Sequence, residues 1–336
     1  MRILTPAARA AVFLAGTAFS AFAQAPETPA SFDCRKAVTA RERATCATED
    51  ARRTDSEMAA AYAPLLSRLS PPQAAALKES QRQFNAYADR LCAVDRARKP
   101  DALGEVSQCL AELMTQRAGH LAGLSVVTVD GIRIEPRLRT EFRIHPADDP
   151  SDRRMGWITE DVMPVMSGAP EPAMKAFEAA LRRMIAPEKP LIAGRITLNG
   201  AVTRTYAVSY LGQRLLSLQF NEHVDAGTAV PDRDVGLNID MMTGAPVSLS
   251  AVFERNANWR KVMHEALRRD INRPDELDER LEEILSGGKG VIWAFGADKV
   301  TVSWTTLSPP AESAEIPLAE IARFIRPDSP WRPATR

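Results

Sequence analysis

Beyond residue 109 the chain has no cysteine, and the four it carries, Cys34, Cys46, Cys92 and Cys109, are confined to one early segment. The last two-thirds therefore holds neither a disulfide nor a thiolate metal site. Histidine is scarce as well: four, at positions 120, 145, 223 and 264, with no spacing that pairs them on a metal or with a nucleophile. His264-Glu265 opens a zinc-protease pattern, but Arg268 stands where the second histidine belongs, so a single ligand remains. No G-x-S-x-G occurs, and Gly287-Gly288-Lys289-Gly290 lacks phosphate-loop spacing and precedes a strand pattern, so it reads as a turn. Glu282 and Glu283 belong to a charged helix face. No sign of charge prevails, with Lys plus Arg and Asp plus Glu at 43 each, which leaves no global field for nucleic acid or an anionic membrane. After the N-terminus no apolar run approaches the roughly 20 residues that span a bilayer.

What is present begins with an export pattern. Arg2 and Arg9 precede a short apolar run from Ala10 to Phe19, and Ala21, Ala23 and Ala25 fit a small-residue cleavage rule, so residues 1–25 read as a signal peptide. Leu14-Ala15-Gly16 is followed by Thr17 and not by cysteine, so neither a lipid nor any other membrane anchor is expected. The localisation this implies is periplasmic or secreted. The remainder exceeds what one core usually accommodates, which predicts two domains.

Thr39-Ala40-Arg41-Glu42 is a capping box and starts a helix. Met58, Tyr62, Leu65, Leu66 and Leu69 continue it at helical spacing until Ser70-Pro71-Pro72. Leu77, Phe84, Tyr87, Leu91 and Val94 mark a second helix, and Val106, Leu110, Leu113, Leu121 and Leu124 a third. Cys46 and Cys92 lie at similar distances along the chain from the proline turn, and Cys34 and Cys109 flank the same end, so all four sulfurs gather there. Three pairings are open. The short-loop choice, Cys34 with Cys46 and Cys92 with Cys109, is favoured, each bridge contributing on the order of 3 kcal/mol. Zinc is disfavoured because close C-x-x-C pairs are missing and exported thiols oxidise, so neither metal nor cofactor is expected.

Phe32-Asp33-Cys34, the T-x-x-E-x-x-x-C run from Thr39 through Glu42 to Cys46, Asp55, Tyr62, Gln81-Arg82 with Phe84, Asp89 before Cys92, and Cys109-Leu110 resemble the LprI-type lysozyme-inhibitor-like domain. Phe84 stands where that family usually has tryptophan, Ala88 where arginine is common, and the segment between Cys92 and Cys109 is longer. The resemblance implies an envelope protein that binds lysozyme, with Glu42, Asp55, Tyr62, Gln81, Phe84 and Asp89 as candidate positions. Each also has a plainer reading. Tyr62 and Phe84 share the apolar stripe and suit a core, Glu42 is explained by the cap, and Asp55, Gln81 and Asp89 are solvated or bond between helices.

From Ser125 alternation replaces helical spacing, with paired strands around Asp130-Gly131. Residues 146–168, rich in Asp and Pro, read as irregular. A helix follows at 172–185, then strands at 191–198, 202–210 and 215–224. A strand ending at the turn Met242-Thr243-Gly244, a second strand leading to a helix near 256–271, a charged helix at 275–285, and strands at 291–296 and 299–305 complete the pattern. Strand runs without regular βαβ alternation predict α+β. TYAVSYLGQRLLSLQF at 205–220, NIDMMTGAPVSLSAVF at 238–253 and IPLAEIARFI at 316–325 resemble the C-terminal domain shared by the anti-sigma factor RsiV and the deacetylase PdaC, which implies a noncatalytic module.

The expectation is a two-domain α+β chain: the signal peptide at 1–25, a disulfide-stapled three-helix bundle of LprI type at 26–124, an α+β domain with a mainly antiparallel sheet and flanking helices at 125–326, and a loose, proline-rich tail at 327–336. Its function is read as noncatalytic binding of lysozyme, a bacterial lytic glycosidase or peptidoglycan, against the alternatives of a structural or sensing periplasmic module and a cell-wall hydrolase with an unrecognised site. The near-neutral charge argues against electrostatic steering toward a basic lysozyme.

Overall fold

Thr39 begins a helix as its spacing predicts. Its hydroxyl accepts from the Glu42 N–H at 3.1 Å, and the Glu42 carboxylate accepts from the Thr39 N–H at 2.8 Å. The computed structural model describes residues 29–145, 155–184, 200–225, 233–254, 258–270, 274–286, 291–304 and 312–333. The expected signal peptide, the strand at 191–198 and the turn at 287–290 lie outside them.

The helix that starts at Thr39, α1 (Ala40–Ala47), does not run on to Leu69. It stops at Thr48, whose backbone turns extended and whose hydroxyl caps α2 (Glu49–Arg68) from the Ala51 N–H at 3.3 Å. The same hydroxyl lies 2.7 Å from that of Ser107, which ties the break to α4 (Pro100–Ala122). Between them comes α3 (Pro71–Leu91); both α3 and α4 open on proline, whose missing N–H costs nothing at that position. The segment thus has four α-helices in place of three. Both disulfides take the short-loop pairing, Cys34–Cys46 and Cys92–Cys109, with Cα separations of 5.7 and 5.6 Å.

Asp130 and Gly131, at φ 50° and 81°, make the expected tight turn between β1 (Val127–Val129) and β2 (Ile132–His145). Residues 155–167, read from sequence as irregular, are instead a long strand, β3, antiparallel to β2 along its whole length. Pro164 is tolerated there because it stands opposite Pro136, so both missing donors fall on one rung. α5 (Glu171–Met184) precedes β4 (Gly200–Leu211), which pairs parallel to β3, and β5 (Leu215–Asp225) and β6 (Arg233–Asp240) complete a six-stranded, mainly antiparallel sheet. The strand expected after Gly244 reduces to one bridge, Pro246 with Ile239, before the helical turn α6 (Leu249–Val252).

The helices bury a small cluster of their own around Ala44, Ala88, Leu110 and Met114, and also pack onto the sheet. α2 packs on α4, while α3 lies along β2, so Leu65, Leu77 and Leu121 share one continuous apolar core with Ile134, Leu138, Val162 and Leu216 of the sheet. A second core is built from α7 (Asn258–Asp270), α8 (Pro274–Ser286), α9 (Leu318–Ile321) and the antiparallel strands β7 (Val291–Phe295), β8 (Lys299–Trp304) and β9 (Glu312–Pro317). This smaller sheet leans on β6 at Gly236, where any side chain would meet Ile292 at 2.6 Å. The Asn238 amide donates to the Trp293 carbonyl at 2.8 Å, and Ser217 Oγ accepts from the Phe295 N–H at 3.0 Å.

The tail is not loose over its described part. Trp331 is 0% exposed, packs against Phe253 and Phe295, and donates its indole N–H to the Gly296 carbonyl at 3.0 Å. A single large aromatic outweighs the proline-rich composition around it. Among the described residues no helix is long and apolar enough to cross a membrane.

Candidate functional site

The apolar stripe of α4 is interrupted by Arg117, whose side chain is 0% exposed. Four groups from two elements, α3 and β3, answer its charge. Nη1 donates to Glu160 on β3, Nη2 to Ser80 Oγ at 2.8 Å, Nε to Gln81 Oε1 at 3.2 Å, and the guanidinium lies 5.3 Å from the centre of the Phe84 ring. Ser80 continues to the Thr140 hydroxyl on β2 at 2.6 Å. Burial is the largest influence on Glu160 and would raise its carboxyl, but the hydrogen bond with His120 and the Arg117 charge together hold it below the ordinary carboxylate value.

His120 stands one turn beyond Arg117. Its Nδ1 lies 2.9 Å from Glu160 Oε2, while Nε2 is enclosed and has no hydrogen-bond partner among the described residues. From Gln81 the chain of polar contacts runs the other way: its amide donates to Asn85 Oδ1 at 3.1 Å, and Arg41 binds that same oxygen at 3.2 Å and Asp89 Oδ1 at 2.5 Å. One polar path therefore joins α1, α3, α4 and β3.

Next to His120 lies a groove of about 500 Å³. Its lining includes Gly119 of α4 and Gly123 just past the end of that helix, with Ile292 of β7 and Ser303 of β8. Its floor is the middle of β4 and β5, where Thr205 stands opposite Asn221 and Ala207 opposite Gln219. Among the described residues no group of three or more His, Cys, Asp or Glu side chains is placed to hold a metal.

The structure brings Gln81 and Phe84 together around Arg117, and Tyr62 lies near enough to feel that charge while its burial raises its hydroxyl. Phe84 is 3% exposed and packs with Tyr87 and Ile158; burial pushes the Tyr87 phenol up to about 12. Of the other candidates, Glu42 and Asp55 stand apart and Asp89 closes the polar path from Gln81. Glu42 completes the cap and also accepts from the Val38 N–H at 2.9 Å, Asp55 accepts from the Ser31 N–H at 2.8 Å, and Asp89 holds Arg41. His264 is engaged by Asp278 at 2.7 Å, and Arg268 holds the same carboxylate at 3.1 Å, so the partial zinc pattern joins α7 to α8. Sequence reading missed Arg117 and Glu160. The available signal was a lone arginine in the apolar stripe of α4.

No curated protein matches this chain. Among solved structures, a DUF3298 family protein from Pseudomonas aeruginosa aligns at 14% identity over 60% of this chain and 99% of its own, with a TM-score of 0.39. One from Bacteroides fragilis aligns at 14% over 61% and 96%, with a TM-score of 0.35. In the helical segment, residues 34–121 match the family model described as lysozyme inhibitor LprI, a span that contains both disulfides and Glu42, Asp55, Tyr62, Gln81, Phe84 and Asp89.

Proposed function

We propose that this chain is an exported protein that binds a lysozyme-type glycosidase through its helical segment and occludes it without chemistry of its own. The observation that carries this reading is the match of residues 34–121 to the lysozyme-inhibitor family. Two closed disulfides support an oxidising compartment, in keeping with the signal-like residues 1–25 and a periplasmic or secreted location. Most of the candidate motif side chains serve the fold internally, so contact with the enzyme falls to the surface they shape. We assign the centre of that contact to Val38, 74% exposed, on a turn tethered by the Cys34–Cys46 bridge, by Glu42 at its N–H and by Arg43 at its carbonyl, 2.6 Å away. An apolar side chain on a rigid projection enters a cleft at little entropic cost.

The test is to titrate the purified mature protein into hen-type lysozyme and into bacterial lytic glycosidases, following lysis and binding together. Saturable binding with loss of lysis supports the reading. Binding without inhibition assigns an interaction role in the envelope instead, and absence of binding to every such enzyme overturns it.

A further inference from the structure

We propose that the groove between α4 and the β7–β8 hairpin is a binding site for an uncharged saccharide, a role beyond glycosidase binding and independent of it. The floor carries the chemistry. Thr203, Thr205 and Gln219 share one face of β4 and β5, are half-buried, and make no side-chain hydrogen bond among the described residues. Hydroxyls and carboxamides both donate and accept, the pattern that a polyol's own hydroxyls complement. His120, held by Glu160 through Nδ1, also lines the groove.

The charge of the lining narrows the class. Among the described residues neither lysine nor arginine lines the groove, so none offers a charge-assisted bond to a phosphate or carboxylate. The lining carboxylate of Asp234 is already engaged by the Asn221 amide at 2.7 Å. An apolar ligand would leave the threonine hydroxyls and the Gln219 carboxamide unanswered, whereas the carbon face of a sugar ring can rest on Ile292. The volume, about 500 Å³, lies in the range of small-ligand sites. Gly119 keeps the entrance open, since a Cβ built there meets nothing within 4 Å.

The test is to titrate the full mature chain with maltotriose, cellotriose and tri-N-acetylchitotriose, with inorganic phosphate as the charged control, by calorimetry and by amide chemical shifts. At least one neutral trisaccharide should saturate, with shifts gathered on β4, β5 and the end of α4, while phosphate does not. Gly119→Phe, which projects into the open groove, should weaken binding by about tenfold or more, and Thr205→Val, which keeps shape and removes a hydroxyl, by about three- to tenfold. No saturation by any trisaccharide at millimolar concentration, equal binding by phosphate, or unchanged affinity in Thr205→Val would overturn the proposal. Glycosidase inhibition is read on the same samples. Its loss with sugar binding intact removes the first proposal alone, and its retention without sugar binding removes only this one.

Discussion

Arg117 on α4 and Glu160 on β3 form an ion pair with 0% and 12% of their side chains exposed, at the seam where the helices meet the sheet. A pair so placed is costly to break from one side, because the survivor keeps its charge without water.

Arg117→Met should therefore destabilise the chain by about 3–5 kcal/mol, more than the loss of one contact. Urea midpoints check this. The double variant Arg117→Met/Glu160→Gln should lose less than the sum of the single variants, since neither charge is then stranded.

The same pair gives a pH signature. The native Glu160 carboxyl is held below its ordinary value by Arg117 and His120, against its burial. Its contribution is complete above the unfolded carboxylate value of about 4.3 and is lost as pH falls through the lower native value. Stability measured from neutral pH down to about pH 3 should fall, and Glu160→Gln should flatten part of that fall.

Trp331→Ala should cost about 3–5 kcal/mol by emptying a site bounded by Phe253 and Phe295. Thermal unfolding reports it, and a variant as stable as the parent would show that this core does not need the indole.

Replacing Cys92 and Cys109 by alanine should lower stability by about 3 kcal/mol, the loop-closure value for a bridge of this span. Hydrogen exchange should show the opening centred on the turn between α3 and α4.

Val38→Asp should leave folding unchanged, since the side chain is exposed, and weaken inhibition of the bound glycosidase by about tenfold or more. Unchanged inhibition would move the contact away from this turn.

Local chemistry was legible in the sequence. Thr39 with Glu42, the Asp130-Gly131 turn, the two short disulfide loops and the strands expected at 202–210 and 215–224 each depend on residues close in the chain. What was missed depends on distant partners. Thr48 breaks a helix whose spacing continues through it, because its hydroxyl also meets Ser107 in α4. Residues 155–167 looked irregular because Pro164 is excused only by Pro136 on the opposite strand. Arg117 and Glu160 are separated by 43 residues and fit no motif spacing. The same holds for the groove, whose lining comes from α4, β4, β5 and β7.

Leu65, Leu77 and Leu121 of the helices share their apolar interior with Ile134 and Leu138 of the sheet. Cutting the chain after α4 would present that interior to water on both fragments. The two layers should then melt cooperatively in a single transition, and neither piece expressed alone should reproduce the behaviour it has in the whole.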